Sequence, residues 1–336
     1  MRKMNKILKI LPLVGSLLLT TSIRGQDLHF SQFFEAPLLR NPSLAGIFSG
    51  DIRVQGVYRD QWNSVTTGYK TTSLNGEYKM PVGNGDDFVT LGLQLFYDKA
   101  GTLSYTNTQV LPALNYHKSL SNTKNTYLSL GFMGGWVQHR IDLSKITTNS
   151  QYDGMGIGEN ITDPSFTYLD GSVGLSLNSS VKENPDNNYF IGAAYHHFNR
   201  PQTSFYKNKN IELNPKWVFS GGLKLAVSDY TFVTIQADHS MQGSFKETIF
   251  GAMYGLKIGD PDAPDYAVHL GTFMRWNDAL IPAIKLDYYP FSVTFSYDAN
   301  ISKLKPSSHG RGGFEISVAF IKDLDNGGKG LLCPRF

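Results

Sequence analysis

The chain has 336 residues, of which 41% are hydrophobic, 18% charged and 13% aromatic, with 33 glycines and one cysteine. These proportions exclude a disordered chain, glycine without a three-residue period excludes collagen, and a lone cysteine excludes a disulfide framework or a thiolate zinc site. The formal charge of +3 rests on the leader: without Arg2, Lys3, Lys6, Lys9 and Arg24 the 31 basic residues become 26 against 28 acids, so no basic footprint for nucleic acid remains.

Arg2, Lys3, Lys6 and Lys9 form a basic start, Ile10 to Leu19 an apolar run, and Thr20 to Gly25 a short polar stretch ending in a small residue. That order is an export signal, and its apolar run is too short for a membrane anchor, which needs about 20 apolar residues. Cleavage is expected between Gly25 and Gln26, giving a leader over 1–25. Residues 26–50 are too apolar for a free tail and too proline-broken for a spanning strand. They are expected to form a short plug or periplasmic segment at the mouth of whatever follows.

From Asp51 onward the dominant pattern is alternation with period two. Val89, Leu91, Leu93, Leu95 and Tyr97 share one strand face, with Thr90, Gly92 and Gln94 on the other; Trp217 to Leu225 and Tyr266 to Met274 repeat it. So do Phe291, Val293, Phe295 and Tyr297, then Phe314, Ile316, Val318 and Phe320. One face is greasy and the other small or polar, including Lys224, His269, Arg275, Asp298 and Glu315. About fourteen strands are predicted, near 51–60, 69–80, 87–97, 103–118, 125–139, 165–178, 188–198, 215–227, 229–239, 244–257, 264–275, 279–289, 290–299 and 312–322.

Strands this long exceed the five or six residues of a soluble sandwich and meet the roughly 9 to 11 needed to cross a bilayer at a tilt. An even count suits a closed barrel, and Tyr97, Trp136, Tyr189, Trp217, Trp276, Tyr288 and Tyr289 near the strand ends suit interfacial girdles. The predicted fold is therefore all-β: a transmembrane antiparallel β-barrel of about 14 strands over 51–322, with a C-terminal extension over 323–336. Breaker clusters at 83–87, 184–188 and 259–264 mark turns, and the longest irregular segment runs from Ile141 to Pro164.

Catalytic and ligand-binding patterns are absent: the chain has no G-x-S-x-G, H-E-x-x-H, Walker loop or C-x-x-C. The glycines at 154, 156 and 158 lack a surrounding βαβ unit, and the acidic turns lack calcium-loop spacing. His196 and His197 face opposite sides of a strand and cannot share a metal. Cys333 has no partner cysteine. No catalytic residue, metal ligand or cofactor site is assigned, and an enzyme is not expected.

The stretch His29-Phe30-Ser31-Gln32-Phe33-Phe34-Glu35-Ala36-Pro37-Leu38-Leu39-Arg40-Asn41-Pro42-Ser43-Leu44-Ala45-Gly46, followed by Tyr58-Arg59-Asp60-Gln61-Trp62, closely resembles the opening of the PorP/SprF family of type IX secretion outer-membrane proteins. Gln151-Tyr152-Asp153 and the segment from Gly192 to Phe205 with Arg200-Pro201 resemble its middle. Tyr297 to Leu304, Gly313 to Ser317 and Cys333 to Phe336 resemble its end, with Ala299 a small departure from a more usual β-branched residue.

The resemblance implies a non-enzymatic outer-membrane component that supports export or surface attachment of a secreted protein, such as a large adhesin with a type B C-terminal targeting domain. It also implies contact with other type IX secretion components and with outer-membrane lipid. Phe33, Phe34, Pro37, Asn41, Pro42, Arg59, Asp60 and Trp62 are the candidate partner-binding residues; Arg59 and Asp60 are also placed to pair, and a role as a clasp holding the fold stands beside that reading. The alternative is a FadL-like channel for small hydrophobic molecules, whose opening shares a similar Asn-Pro turn.

Overall fold

The computed structural model describes residues 27, 29–61, 68–83, 85–121, 123–154, 158, 163–181, 184–206, 208, 210–261, 264–302 and 311–324. The expected leader over 1–25, Trp62 and Cys333 to Phe336 lie outside the described residues.

Fourteen antiparallel strands close on themselves, each paired to its sequence neighbours and β1 to β14. They are β1 Ile52–Gln61, β2 Tyr69–Pro81, β3 Phe88–Ala100, β4 Tyr105–Ser121, β5 Thr126–Arg140, β6 Ser165–Val181, β7 Asn184–His196, β8 Lys216–Ala226, β9 Thr231–Gln242, β10 Phe245–Gly259, β11 Pro264–Arg275, β12 Ala279–Tyr288, β13 Phe291–Asn300 and β14 Arg311–Lys322. Closure runs in unbroken register from Ile52 opposite Lys322 to Gln61 opposite Gly313, so no sheet edge is left unpaired. Their lengths, 10 to 17 residues, suffice to cross a bilayer.

Burial is inverted relative to a soluble protein. Along β2 the inward residues Thr71, Ser73, Asn75, Glu77 and Lys79 are buried, while Leu74 and Tyr78 face out and are exposed. The same inversion leaves Leu91, Leu114, Phe132, Leu270 and Ile284 on the outer surface. Apolar atoms outside and hydrogen-bonding groups inside is the arrangement a hydrocarbon surround selects. Proline interrupts two ladders: Pro112 on β4 and Pro282 on β12 have no N–H to give, and pairing skips them.

The connections divide by length. At the end where β1 begins and β14 finishes they are short turns, such as 227–230 and 289–290; at the opposite end lie the long segments 141–164 and 197–215. Outer-membrane barrels place short turns in the periplasm and long loops outside. The described part of the 141–164 segment carries a short helix α2 at Asn149–Tyr152, opened by a Thr148–Gln151 capping box.

Candidate functional site: the plugged lumen

Asp27 and residues 29–50 run through the lumen. Asp27 sits at the long-loop mouth, where its backbone N–H donates to Gln242 Oε1 at 2.9 Å and its carboxylate meets His197 Nε2 at 2.7 Å and Lys216 Nζ at 3.6 Å. Gly50 lies against Ile321 and Lys322 at the short-turn end. Between them the chain makes a 3₁₀ turn at Phe33–Glu35, the helical turn α1 at Pro37–Arg40 and a second 3₁₀ turn at Pro42–Leu44. Proline opens each of the last two turns, where a missing N–H costs nothing. Asn41, extended at φ −161°, separates them, and its side chain caps the second by accepting from Ser43 N and Oγ.

The segment is held by charge at successive depths. Near the outer mouth, Ser31 and Gln32 donate their backbone N–H groups to the two oxygens of Glu315, both at 2.7 Å. Ser31 Oγ reaches Asp298 at 2.7 Å and also accepts from Arg275. Arg59 joins this cluster, with Nε 3.1 Å from Glu315 and Nη2 3.1 Å from Asp298, and it donates to the His29 carbonyl. Deeper, Glu35 takes Lys285 at 3.0 Å, Thr294 at 2.8 Å and Gln55. Arg40 grips Asp238 through two bonds and Gln236 through a third at 3.0 Å. At the inner end Glu77 receives Gly46 N at 2.8 Å while paired with Arg53, and Lys79 donates to the Phe48 carbonyl at 2.7 Å. Buried charges held this way are matched and hydrogen-bonded, as a desolvated lumen requires.

Shape completes the fit. A Cβ on Gly131 would stand 2.5 Å from Pro42 C and Ser43 N, and one on Gly174 would stand 1.8 Å from Asn41 Oδ1. These glycines form the hollow into which the Asn41–Ser43 turn seats. Opposite, Phe33 meets Phe273 edge-on at 5.5 Å and Phe34 stacks on it at 4.9 Å. The Arg40 guanidinium lies over the Phe33 ring at 4.7 Å.

The structure thus brings Phe33, Phe34, Pro37, Asn41, Pro42 and Arg59 together inside the lumen, all but Phe34 buried there. Asp60 stands on the other face of β1, as strand neighbours must, so the expected Arg59–Asp60 pair is replaced by Arg59 with Asp298 and Glu315. Arg40 and its acceptor Asp238 were not among the sequence candidates. Their signal was an inward acid on β9 and the single arginine or lysine in residues 26–50. The expectation that His196 and His197 face opposite sides of a strand does not hold: β7 ends at His196, His197 follows at φ 57°, and both line the lumenal cavity, His196 hydrogen-bonding Ser172 and the Arg40 carbonyl while His197 lies between Asp27 and Asp170 at 2.7 Å from each. Burial alone would push the His197 imidazole down, but the two carboxylates outweigh it and hold it at about 10.

Above the plug's middle turns a cavity of about 1020 Å³ lies at the long-loop end, walled by β2 to β8 and the segment after β7. Leu39, Leu111 and Met133 form an apolar floor; Tyr69, Phe96, Tyr105 and Tyr168 supply rings. Tyr105 Oη is 2.5 Å from His139 Nδ1, and Tyr168 Oη is 3.1 Å from its Nε2.

Among solved structures the fold is similar to the TodX monoaromatic hydrocarbon channel in its deltaS2 mutant form, at 10% identity and TM-score 0.50, covering 86% of this chain and 94% of that one. A Pseudomonas aeruginosa FadL homologue gives 10% identity and TM-score 0.49 over 85% and 94% of the two chains. The Ralstonia pickettii toluene transporter TbuX gives 10% identity and TM-score 0.48 over 85% and 92%. At such identities the likeness concerns barrel architecture alone. No curated protein matches the chain. The sequence from residue 22 to 320 matches the family described as type IX secretion system membrane protein PorP/SprF, and together with the closed 14-strand barrel this places the chain in that family as an outer-membrane component.

Proposed function

We propose that this barrel performs no catalysis and serves as a closed platform that holds a secreted protein, such as a large adhesin with a type B C-terminal targeting domain, during export or surface attachment. The observation that carries this reading is the plug. A lumen crossed from mouth to mouth by a segment ion-paired to β8, β9 and β12 and hydrogen-bonded to charged side chains of β1, β2, β13 and β14 offers its long-loop face to a partner more readily than a path to a solute. A stable interface needs about 1,200 to 2,000 Å² of buried surface. Strand edges consumed by closure do not supply it, so the long loops must. Phe33, Phe34, Pro37, Asn41, Pro42 and Arg59 then serve the partner by keeping the platform closed, while Asp60 and Trp62 remain candidates for direct contact.

The same reading divides the chain into a removed leader over 1–25, the plug over 26–50, the barrel over 51–322 and an extension over 323–336. Asp27 at the outer mouth supports removal. A leader anchored in the inner membrane would have to be tethered to the far side of the barrel. Intact mass of the purified protein should begin at Gln26, with or without cyclisation to pyroglutamate.

The test is affinity purification from detergent-solubilised outer membranes, with and without the gene. Co-purification of an exported protein whose surface display disappears in the deletion strain supports the reading. Should all surface proteins persist while uptake of a small hydrophobic nutrient is lost, the FadL-like channel replaces it.

A further inference from the structure

Six carboxylates among the described residues are buried: Glu35, Glu77, Asp98, Asp238, Asp298 and Glu315. Five of them have an arginine or lysine nitrogen within 3.1 Å. Asp98 alone does not. Asp98 is 1% exposed and one oxygen accepts from the Thr71 hydroxyl at 2.7 Å; Arg59 acts on it only from beyond ion-pair distance and is itself engaged by Asp298 and Glu315, and no cation among the described residues is paired with it. Burying a carboxylate without a counter-charge is costly, and every other one in this lumen is compensated.

The position of Asp98 explains what the compensation could be. Asp98 lies on the wall of the 1020 Å³ cavity at the long-loop end. Its cross-strand neighbours are Thr71 on β2 and Asn107 on β4. One inward step away on the three strands stand Tyr69, Phe96 and Tyr105, all lining the same cavity. Tyr69 and Tyr105 stand diagonally from Asp98 on the neighbouring strands, within reach of their side chains, and Phe96 is the next inward residue on β3 itself. A buried carboxylate on a cavity wall that also carries aromatic side chains is the chemistry that receives an organic cation, through a charge-assisted hydrogen bond and the ring quadrupoles together.

We propose that Asp98, with Tyr69, Phe96 and Tyr105, forms a subsite for a guanidinium or ammonium group entering from the long-loop side. A planar guanidinium suits it best, since its fork can engage the free carboxylate oxygen while its face rests on a ring. The source is either a basic side chain of a polypeptide or a free small amine. Only the first would deepen the partner-holding reading, and the two can fail separately, because the subsite is tested on the purified barrel and partner holding on cells.

The probes are a blocked hexapeptide with one central arginine, the same peptide with citrulline in its place, and agmatine, each titrated into the full-length protein in detergent micelles. The arginine peptide should bind about tenfold more tightly than its neutral citrulline counterpart. Asp98→Asn should erase that difference while the barrel still migrates as a folded, heat-modifiable species. Agmatine binding as tightly as the arginine peptide assigns the subsite to a small amine; peptide binding without agmatine assigns it to a polypeptide. Equal affinities for arginine and citrulline in the wild type, a preference that survives in Asp98→Asn, or no binding of either cation would overturn the proposal, and the wild-type comparison decides even if the variant fails to fold.

Discussion

Arg40 in the plug and Asp238 on β9 are 198 residues apart in sequence and meet through two hydrogen bonds, Nε to Oδ2 at 2.8 Å and Nη2 to Oδ1 at 2.5 Å. Both side chains are buried, and a two-pronged arginine–carboxylate contact fixes orientation as well as distance. Removing one partner leaves the other charge buried alone, which costs about 3 to 5 kcal/mol, whereas replacing both with apolar side chains of similar size costs far less. Arg40→Ala should therefore unseat the plug, and Arg40→Met combined with Asp238→Leu should largely restore it. Conductance across planar bilayers reads this directly. The single variant should show frequent open events that the double variant lacks, and a silent Arg40→Ala barrel would mean that the pair does not hold the plug.

The hollow at Gly131 gives a steric counterpart. A methyl group there meets plug backbone at 2.5 Å, and backbone cannot rotate out of the way as a side-chain tip can. Gly131→Ala should expel the Pro42–Leu44 turn while leaving the strand register intact, since the outward face of β5 is unchanged. Protease cleavage within residues 30–50 of the intact barrel should rise well above the wild-type rate. If those bonds stay protected, the turn has shifted to accommodate the methyl group and the seat is looser than its geometry indicates.

At the outer mouth, His197 gives a pH dependence of defined sign. Its folded value of about 10 lies above the ordinary 6.5, so the stability it adds is complete below about pH 6.5 and is lost as pH rises through about 10. His197→Gln should lower the melting temperature at pH about 6 and have little effect above pH about 10. A ring-carbon NMR titration of the wild type gives the same quantity without a variant. A midpoint near 6.5 would show that Asp27 and Asp170 do not stabilise the imidazolium.

The barrel was legible in the sequence because its signal is carried by every strand. Period-two alternation, strand length and the even count gave fourteen strands, and the structure has fourteen, with the largest boundary shift at β7, which begins at Asn184 rather than 188. Proline and asparagine there read as a turn, yet the β6 ladder extends past them. The plug was legible only as a segment that fitted neither a tail nor a strand. Its path was not, because contacts such as Ser31 with Glu315 and Arg40 with Asp238 join positions with no shared local pattern. Charge at inward positions was visible, as with Arg275, Asp298 and Glu315, but which acid meets which base depends on closure of the ring. Asp98 lies one residue past the strand predicted over 87–97, on the part of β3 that runs on to Ala100, and it became distinct only once the other buried acids were seen to be paired.

The partner-holding reading separates two sets of aromatic residues that sequence alone treats alike. Phe34 stacks on Phe273 within the lumen, so Phe34→Ala should loosen the plug, by less than the roughly 3 to 5 kcal/mol of a fully buried phenylalanine because Phe34 is only half-buried. Tyr152 on α2 is 98% exposed and Tyr206, after β7, is 54% exposed, both on the long-loop side. Exposed aromatic anchors of this kind tend to dominate the energy of an interface once a partner covers them. Alanine at both tyrosines should reduce recovery of the co-purifying exported protein several-fold while conductance and barrel migration stay at wild-type levels. Phe34→Ala should do the reverse, raising conductance with partner recovery little changed. If Phe34→Ala abolishes recovery while the tyrosine variants bind normally, the partner engages the plug itself, and the loops are not the docking face.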